Sequence, residues 1–146
     1  MDKSGGCLCG AVRFDAVNVP GTFGICHCPM CRRWTGSALI EVSIASEDIT
    51  WTGAEHIATR ANSEWAERGW CRECGTGLFF RQTKPGKWFG ATDLPLGIFD
   101  DPNGFTISHE IYVDQVPDGL ACVGTDHKRL TRADVLALNP DLEDDA

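Results

Sequence analysis

Hydrophobic and polar positions along this chain repeat mostly with a period of two. Ala11-Val12-Arg13-Phe14-Asp15 alternates apolar and polar residues, the mark of a strand with one buried face. Ser37 to Ser46 does so more clearly, with Ala38, Ile40, Val42 and Ile44 facing one way and Glu41 and Ser43 the other. Ile49 to Thr52 is short, β-prone and closed by Gly53. Glu55 to Arg60 and Glu64 to Trp70 are spaced to pair as a hairpin about Asn62-Ser63. Leu78-Phe79-Phe80 and Trp88 to Ala91 are two further short candidates. Phe105 to Val113 alternates again, placing Phe105, Ile107, His109, Ile111 and Val113 on one face. Gly and Pro separate these runs, which predicts a mainly β domain. One short helix is expected near the end. Thr131-Arg132-Ala133-Asp134 reads as a capping box, Val135, Leu136 and Leu138 would dock the helix, and Asn139-Pro140 would stop it. The acidic tail 141–146 is expected to fray.

At 146 residues, with no repeat or linker, the chain is expected to form a single domain over 1–146. Hydrophobic residues at 42% and charged residues at 23% exclude an intrinsically disordered chain. No apolar run nears the roughly 20 residues of a membrane span. Met1 to Gly6 lacks the apolar core of a secretory signal, so the expected location is the cytoplasm. A net charge of -8 argues against partners that need a basic face, such as nucleic acid or an anionic membrane. There is no G-x-S-x-G, P-loop or H-E-x-x-H, and Gly75-Thr76-Gly77 is not a dinucleotide fingerprint, since Phe80 takes the place of the third glycine.

The cysteines carry the candidate chemistry. Of eight, seven fall into tight groups: Cys7 and Cys9, then Cys26, Cys28 and Cys31, then Cys71 and Cys74. Cys122 stands alone and reads as a small buried hydrophobe. Such spacing suits thiolates around a metal ion better than disulfides between distant segments. Iron–sulfur clusters are also held by cysteines, but C-x-C is not one of their usual runs, which favours zinc. Structural zinc sites close with four ligands, whereas catalytic ones keep a position open. The simplest partition is then a closed site on Cys7, Cys9, Cys71 and Cys74 and a second, open site on Cys26, Cys28 and Cys31. Gly75, after Cys74, suits a turn with positive φ that aims N–H groups at sulfur. Arg72, Arg32 and Arg33 lie next to the clusters and are expected to offset their negative charge. The second site could instead be closed by His56, His109 or His127, while His27, between two ligands, is poorly placed. His109 otherwise reads as a satisfied core histidine, and Trp34 and Trp70 as core packing.

Gly6-Cys7-Leu8-Cys9-Gly10-Ala11-Val12 resembles the opening motif of the glutathione-dependent formaldehyde-activating (GFA) family, which also includes centromere protein V. Cys26-His27-Cys28-Pro29-Met30-Cys31-Arg32-Arg33 with Thr35-Gly36-Ser37-Ala38 resembles its second motif, and Cys71-Arg72-Glu73-Cys74-Gly75-Thr76 its third. Asp100-Asp101-Pro102 and His109 to Val113 resemble its later half, so the likeness spans about 5–120. One departure is Val116-Pro117-Asp118-Gly119-Leu120, where family members often carry a Trp after the Pro. The resemblance implies a β-tent fold of antiparallel sheets stapled by zinc. It implies a structural zinc on Cys7, Cys9, Cys71 and Cys74 and a second zinc, the reaction centre, on Cys26, Cys28 and Cys31. It also implies a carbon–sulfur lyase activity that condenses glutathione and formaldehyde to S-(hydroxymethyl)glutathione.

An open three-thiolate zinc can accept an incoming thiol, lower its pKa and hold it against a small aldehyde. Arg32 or Arg33 is the candidate for a carboxylate of glutathione. The alternative is a noncatalytic zinc-binding module for a protein partner, which a fully closed second site and no thiol affinity would favour.

Overall fold

The computed structural model describes residues 1–121 and 126–140. The reading of Cys122 and that of the tail 141–146 lie outside the described residues. Strands dominate, as their alternation implies. β1 (Lys3–Gly6), β2 (Arg13–Ala16) and β5 (Ile49–Thr52) form an antiparallel three-stranded sheet in the order β1-β2-β5. The second sheet has eight strands. They are β3 (Thr22–Cys26), β4 (Leu39–Ala45), β6 (Ile57–Ala61), β7 (Ala66–Cys71), β8 (Gly77–Gln82), β9 (Ala91–Pro95), β10 (Thr106–Ile111) and β11 (Lys128–Leu130). Their order is β11-β10-β3-β4-β9-β8-β7-β6. From β3 to β6 every pairing is antiparallel; β10 pairs in parallel with both β3 and β11. The mainly β architecture stands, with that parallel edge added to it.

The hairpin β6–β7 forms where the sequence placed it, with Ala61 opposite Glu67. The run Trp88 to Ala91 is different: 88–90 lie in a turn, and β9 begins only at Ala91. Gly90 takes a positive φ of 88° there, which ends the turn rather than extending a strand.

Two helices are present. α2 (Arg132–Leu138) begins with the capping box: Asp134 N–H donates to the Thr131 hydroxyl, and Thr131 N–H donates to the Asp134 carboxylate at 2.8 Å. α1 (Pro29–Thr35) was not expected from the pattern. Seven residues are too few for a helical period to show. Its punctuation is nonetheless in the sequence: Pro29 at the first turn, and Gly36 at the C-cap with φ 74°.

The pleat divides the large sheet into two faces. Val42 and Ile44 on β4, Leu94 on β9 and Phe79 on β8 point to one side and pack against Phe14 and Ala16 of the small sheet and Val12 just before it. Phe14 is the hinge of that contact, meeting Trp51 at 5.7 Å and Phe99 at 5.2 Å between ring centroids. Ile40 shares the pleat side of Val42 but is 41% exposed, so this end of the strand lies beyond the apolar cluster. Glu41, Ser43, Asp93, Phe80 and Arg68 occupy the opposite face and line a cavity.

Phe14 is 1% exposed and joins the two sheets. Phe14→Ala should therefore lower unfolding stability by about 3–5 kcal/mol in urea titrations of the metal-loaded protein.

Candidate metal centres and the adjoining cavity

Two knuckles build the first cluster. Cys7 follows β1 directly and Gly10 turns the chain back, with Gly10 N–H donating to the Cys7 carbonyl. The matching turn is Cys71 to Gly75, where Gly75 takes φ 78° as its place in the sequence suggested and donates to the Cys71 carbonyl at 2.8 Å. The turns leave backbone and hydroxyl donors aimed at sulfur: Val12 N–H lies 3.2 Å from Cys7 Sγ, and Thr76 Oγ1 lies 3.2 Å from Cys74 Sγ. Hydrogen bonds from Thr76 help draw the Cys74 thiol down to about 6. The sulfurs of Cys7, Cys9, Cys71 and Cys74 all lie within 4.8 Å of one another.

The second cluster gathers Cys26 at the end of β3, Cys28 at the N-cap of α1 and Cys31 inside it. Their sulfurs also lie within 4.8 Å of one another. Cys31 N–H donates to Cys28 Sγ at 3.2 Å, so the cap of the helix is itself a sulfur of the cluster. Hydrogen bonds from Cys26 and Cys31 draw the Cys28 thiol down to about 3, helped by the Arg68 charge. Hydrogen bonds with Cys28 and Cys31, with burial, push Cys26 well up. One thiolate thus forms readily, and the remaining protons leave only to a cation that replaces them.

Both clusters fit a tetrahedral thiophilic ion. A zinc–sulfur bond of about 2.3 Å implies sulfurs about 3.8 Å apart. Cys7 and Cys9 are 3.5 Å apart, and Cys9 and Cys71 3.8 Å. A disulfide needs about 2.05 Å. The two clusters differ in surroundings. Cys26, Cys28 and Cys31 line a cavity of about 430 Å³; Cys7, Cys9, Cys71 and Cys74 do not. Among the described residues no His, Asp or Glu joins either set. His56 instead pairs with Glu73 at 3.2 Å, and His127 with Glu110. His27, 0% exposed, also binds Glu110, at 2.9 Å. Glu110 therefore ties the Cys26–Cys28 loop to the segment leading into β11.

The cations are not the ones that flank the cysteines in sequence. Arg72 is exposed and donates to the Ile57 carbonyl at 3.3 Å. Arg32 and Arg33 do not line the cavity; Arg68, Lys87, Lys128 and Arg132 do. Arg68 is the one against sulfur: 2% exposed, it donates to Cys31 Sγ at 3.3 Å and lies over the Phe80 ring at 4.9 Å. Position 68 gives no motif signal, because its cluster partner is 37 residues away. Trp34 and Trp70, read as core packing, are half-buried and meet edge-to-face at 5.6 Å between α1 and β7, apart from both apolar core clusters.

A bulge sets the remaining polar groups. The β10–β3 register slips between Ile107 and His109, so Ile107 opposes Phe23 and His109 opposes Gly24. That one-residue slip turns His109 off the face of Ile107 and into the cavity. Its ring lies over Gly24, where a Cβ would come within 2.3 Å of Nε2. The Ser108 hydroxyl donates to the Phe23 carbonyl at 3.0 Å, so its oxygen accepts from His109 Nδ1–H at 2.9 Å. Nε2 is then the proton-accepting atom, and burial lowers the His109 pKa and keeps the ring neutral. Glu41, opposite Gly24, and Asp93, opposite Ser43, share the same floor. Burial, then the Asp93 charge, pushes Glu41 well above the ordinary carboxylate range, and burial lifts Asp93 to about 6.

Residues 2–115 match the model of the glutathione-dependent formaldehyde-activating enzyme family. An uncharacterised lyase of Schizosaccharomyces pombe is 30% identical over 117 residues, covering 80% of this chain and 82% of that protein. A Halomonas elongata protein, provisionally named a glutathione-dependent formaldehyde-activating enzyme, is 32% identical over 87 residues, 54% of this chain and 55% of that one. The crystal structure of a Rhodobacter sphaeroides protein superposes with a TM-score of 0.54 at 19% identity, covering 88% of this chain and 99% of that one. That likeness carries the fold. No described helix is long and apolar enough to cross a membrane.

The native state keeps the Asp93 proton to about pH 6, whereas the unfolded chain releases it near 4. The native form thus binds the extra proton between those values, and stability falls as pH rises through that window. Asp93→Asn should reduce the slope, leaving the part due to Glu41, and gain on the order of 1 kcal/mol over the parent by about pH 7, read from urea midpoints.

Proposed function

The chain belongs to the glutathione-dependent formaldehyde-activating enzyme family, and from that premise we propose that it is a zinc-dependent carbon–sulfur lyase acting on a thiol adduct of a small aldehyde, with glutathione as the candidate thiol. One observation carries this reading: the three-sulfur cluster, and not the four-sulfur one, opens into a cavity that also holds a cation, a neutral imidazole and a carboxyl, Glu41, held protonated beside Asp93. Cys7, Cys9, Cys71 and Cys74 are assigned a structural zinc that staples the amino-terminal turn to the β7–β8 turn. Cys26, Cys28 and Cys31 are assigned the second zinc. When bound there, that ion would supply a Lewis acid and lower the pKa of an entering thiol.

The chain's own residues complete the step. His109 Nε2 takes the thiol proton, which neutral imidazole at this position is suited to hold. The sulfur forms a bond to the aldehyde carbon as the carbonyl π bond breaks. Glu41, protonated, gives its proton to the new oxygen, and Asp93 beside it keeps Glu41 from ionising early. His109 then returns its proton to Glu41 by way of solvent as the product leaves, so the sum is thiol plus aldehyde giving hydroxyalkyl thioether, reversible and without redox change. Arg68 balances the sulfur charge from within the cavity wall, while Lys87 and Lys128 offer cations to the carboxylates of the thiol.

A closed second cluster would favour the noncatalytic module, and among the described residues no His, Asp or Glu joins Cys26, Cys28 and Cys31. Cys28→Ser should lose one of two zinc ions per chain, measured by elemental analysis, together with glutathione binding and activity. A variant retaining full metal and full activity would sink the assignment. His109→Asn should retain both ions and lower kcat about 10²-fold or more, with the acid limb of the pH profile altered.

A further inference from the structure

We infer that the cavity is built for adducts of aldehydes with a bulky apolar group, and that the wall recognising that group is α2 with the loop between β8 and β9. This rests on the lyase reading above and names the substrate class of the same site.

Size is the first observation. Formaldehyde adds a single carbon to a thiol, and a cavity of about 430 Å³ extends well beyond the sulfurs. The path of α2 is the second. At its amino end Arg132 N–H donates to Asp114 at 2.8 Å, just past Tyr112, which packs against the Cys26, Cys31 and Leu39 cluster. At its carboxy end Asn139, 5% exposed, lies beside Gly86 of the β8–β9 loop, its Oδ1 3.5 Å from where a Cβ would sit. The helix therefore spans from the sulfur end of the cavity to the far loop.

Chemistry of the lining is the third observation. Leu136 and Leu138 of α2 line the cavity together with Trp65, Phe80 and Trp88. Leu138 remains 39% exposed, an apolar surface that a ligand can cover. Between this chamber and the sulfurs stands Arg68, whose buried Nε has no hydrogen-bond partner among the described residues. An adduct held at the sulfurs would offer oxygen acceptors to Arg68 and direct its carbon substituent toward the tryptophans. The family model matches residues 2–115, and α2 follows that stretch in the chain. The reaction class is unchanged: the thiol S–H and the aldehyde C=O become S–C and C–O–H, with nothing oxidised or reduced.

Calorimetry on the zinc-loaded full chain with glutathione, S-methylglutathione and S-hexylglutathione tests this. The last two differ only in five methylenes, each worth about fourfold when fully buried. S-hexylglutathione should bind at least tenfold tighter than the S-methyl compound. Leu136→Ser and Trp88→Ala, checked for folding by circular dichroism, should each cut that ratio at least threefold. Equal affinity of the two thioethers with glutathione still binding would overturn the inference and leave the lyase reading intact. A hexyl preference that survives both variants would overturn the assigned wall. Failure of all three ligands to bind would remove the thiol site, and the inference with it.

Discussion

The pleat of the eight-stranded sheet is the constraint on which everything else depends. Successive residues of a strand face opposite ways, so a strand can be core on one side and chemistry on the other. On β4 this sends Val42 and Ile44 to the small sheet and Glu41 and Ser43 to the cavity. On β8 it sends Phe79 to the core and Phe80 to the cavity, and on β7 Arg68 follows Phe80 across the ladder. The small sheet covers one face and seals the apolar side. The other face is free to hold charge because α1, α2 and the β8–β9 loop border it rather than a second sheet.

Within that frame the two sulfur clusters have different tasks. The first joins turns separated by more than sixty residues, with Cys9 facing Cys71 at 3.8 Å, and stands away from the cavity. The second is local in sequence and opens into the cavity. Its negative charge is held by Arg68 rather than by its sequence neighbours, and across from it burial and the Asp93 charge keep the Glu41 proton in place. A buried cation, a thiolate cluster and a neutral Glu41 form a balanced set, which is why charge can be kept in a half-buried place at all. Glu110 adds a mechanical link on the far side: it holds His27, between two cluster cysteines, and His127, just before β11. The position of the cavity wall is thereby coupled to the ligand loop.

What the chain shows in its sequence is what is encoded over short distances. Alternation revealed most strands, the capping box revealed α2, and spacing revealed the cysteine groups and the knuckle glycine at position 75, because each signal is contained within a turn or a strand. Family resemblance extended those motifs to a fold and an activity class. The seven-residue α1 was hidden because it is shorter than two full helical periods.

The cavity was decided by tertiary structure alone. His109 enters it through a one-residue bulge that breaks the very alternation used to place it on an apolar face. Arg68, Glu41 and Asp93 meet only because β7, β8, β9 and β4 lie side by side, an order that no linear spacing records. Arg32 and Arg33 adjoin the cluster in sequence yet lie off the cavity, since neighbours on a helix point around its axis rather than in one direction. Sequence determined which sulfurs can hold a metal. The register of distant strands decided which charges, acids and apolar walls surround them.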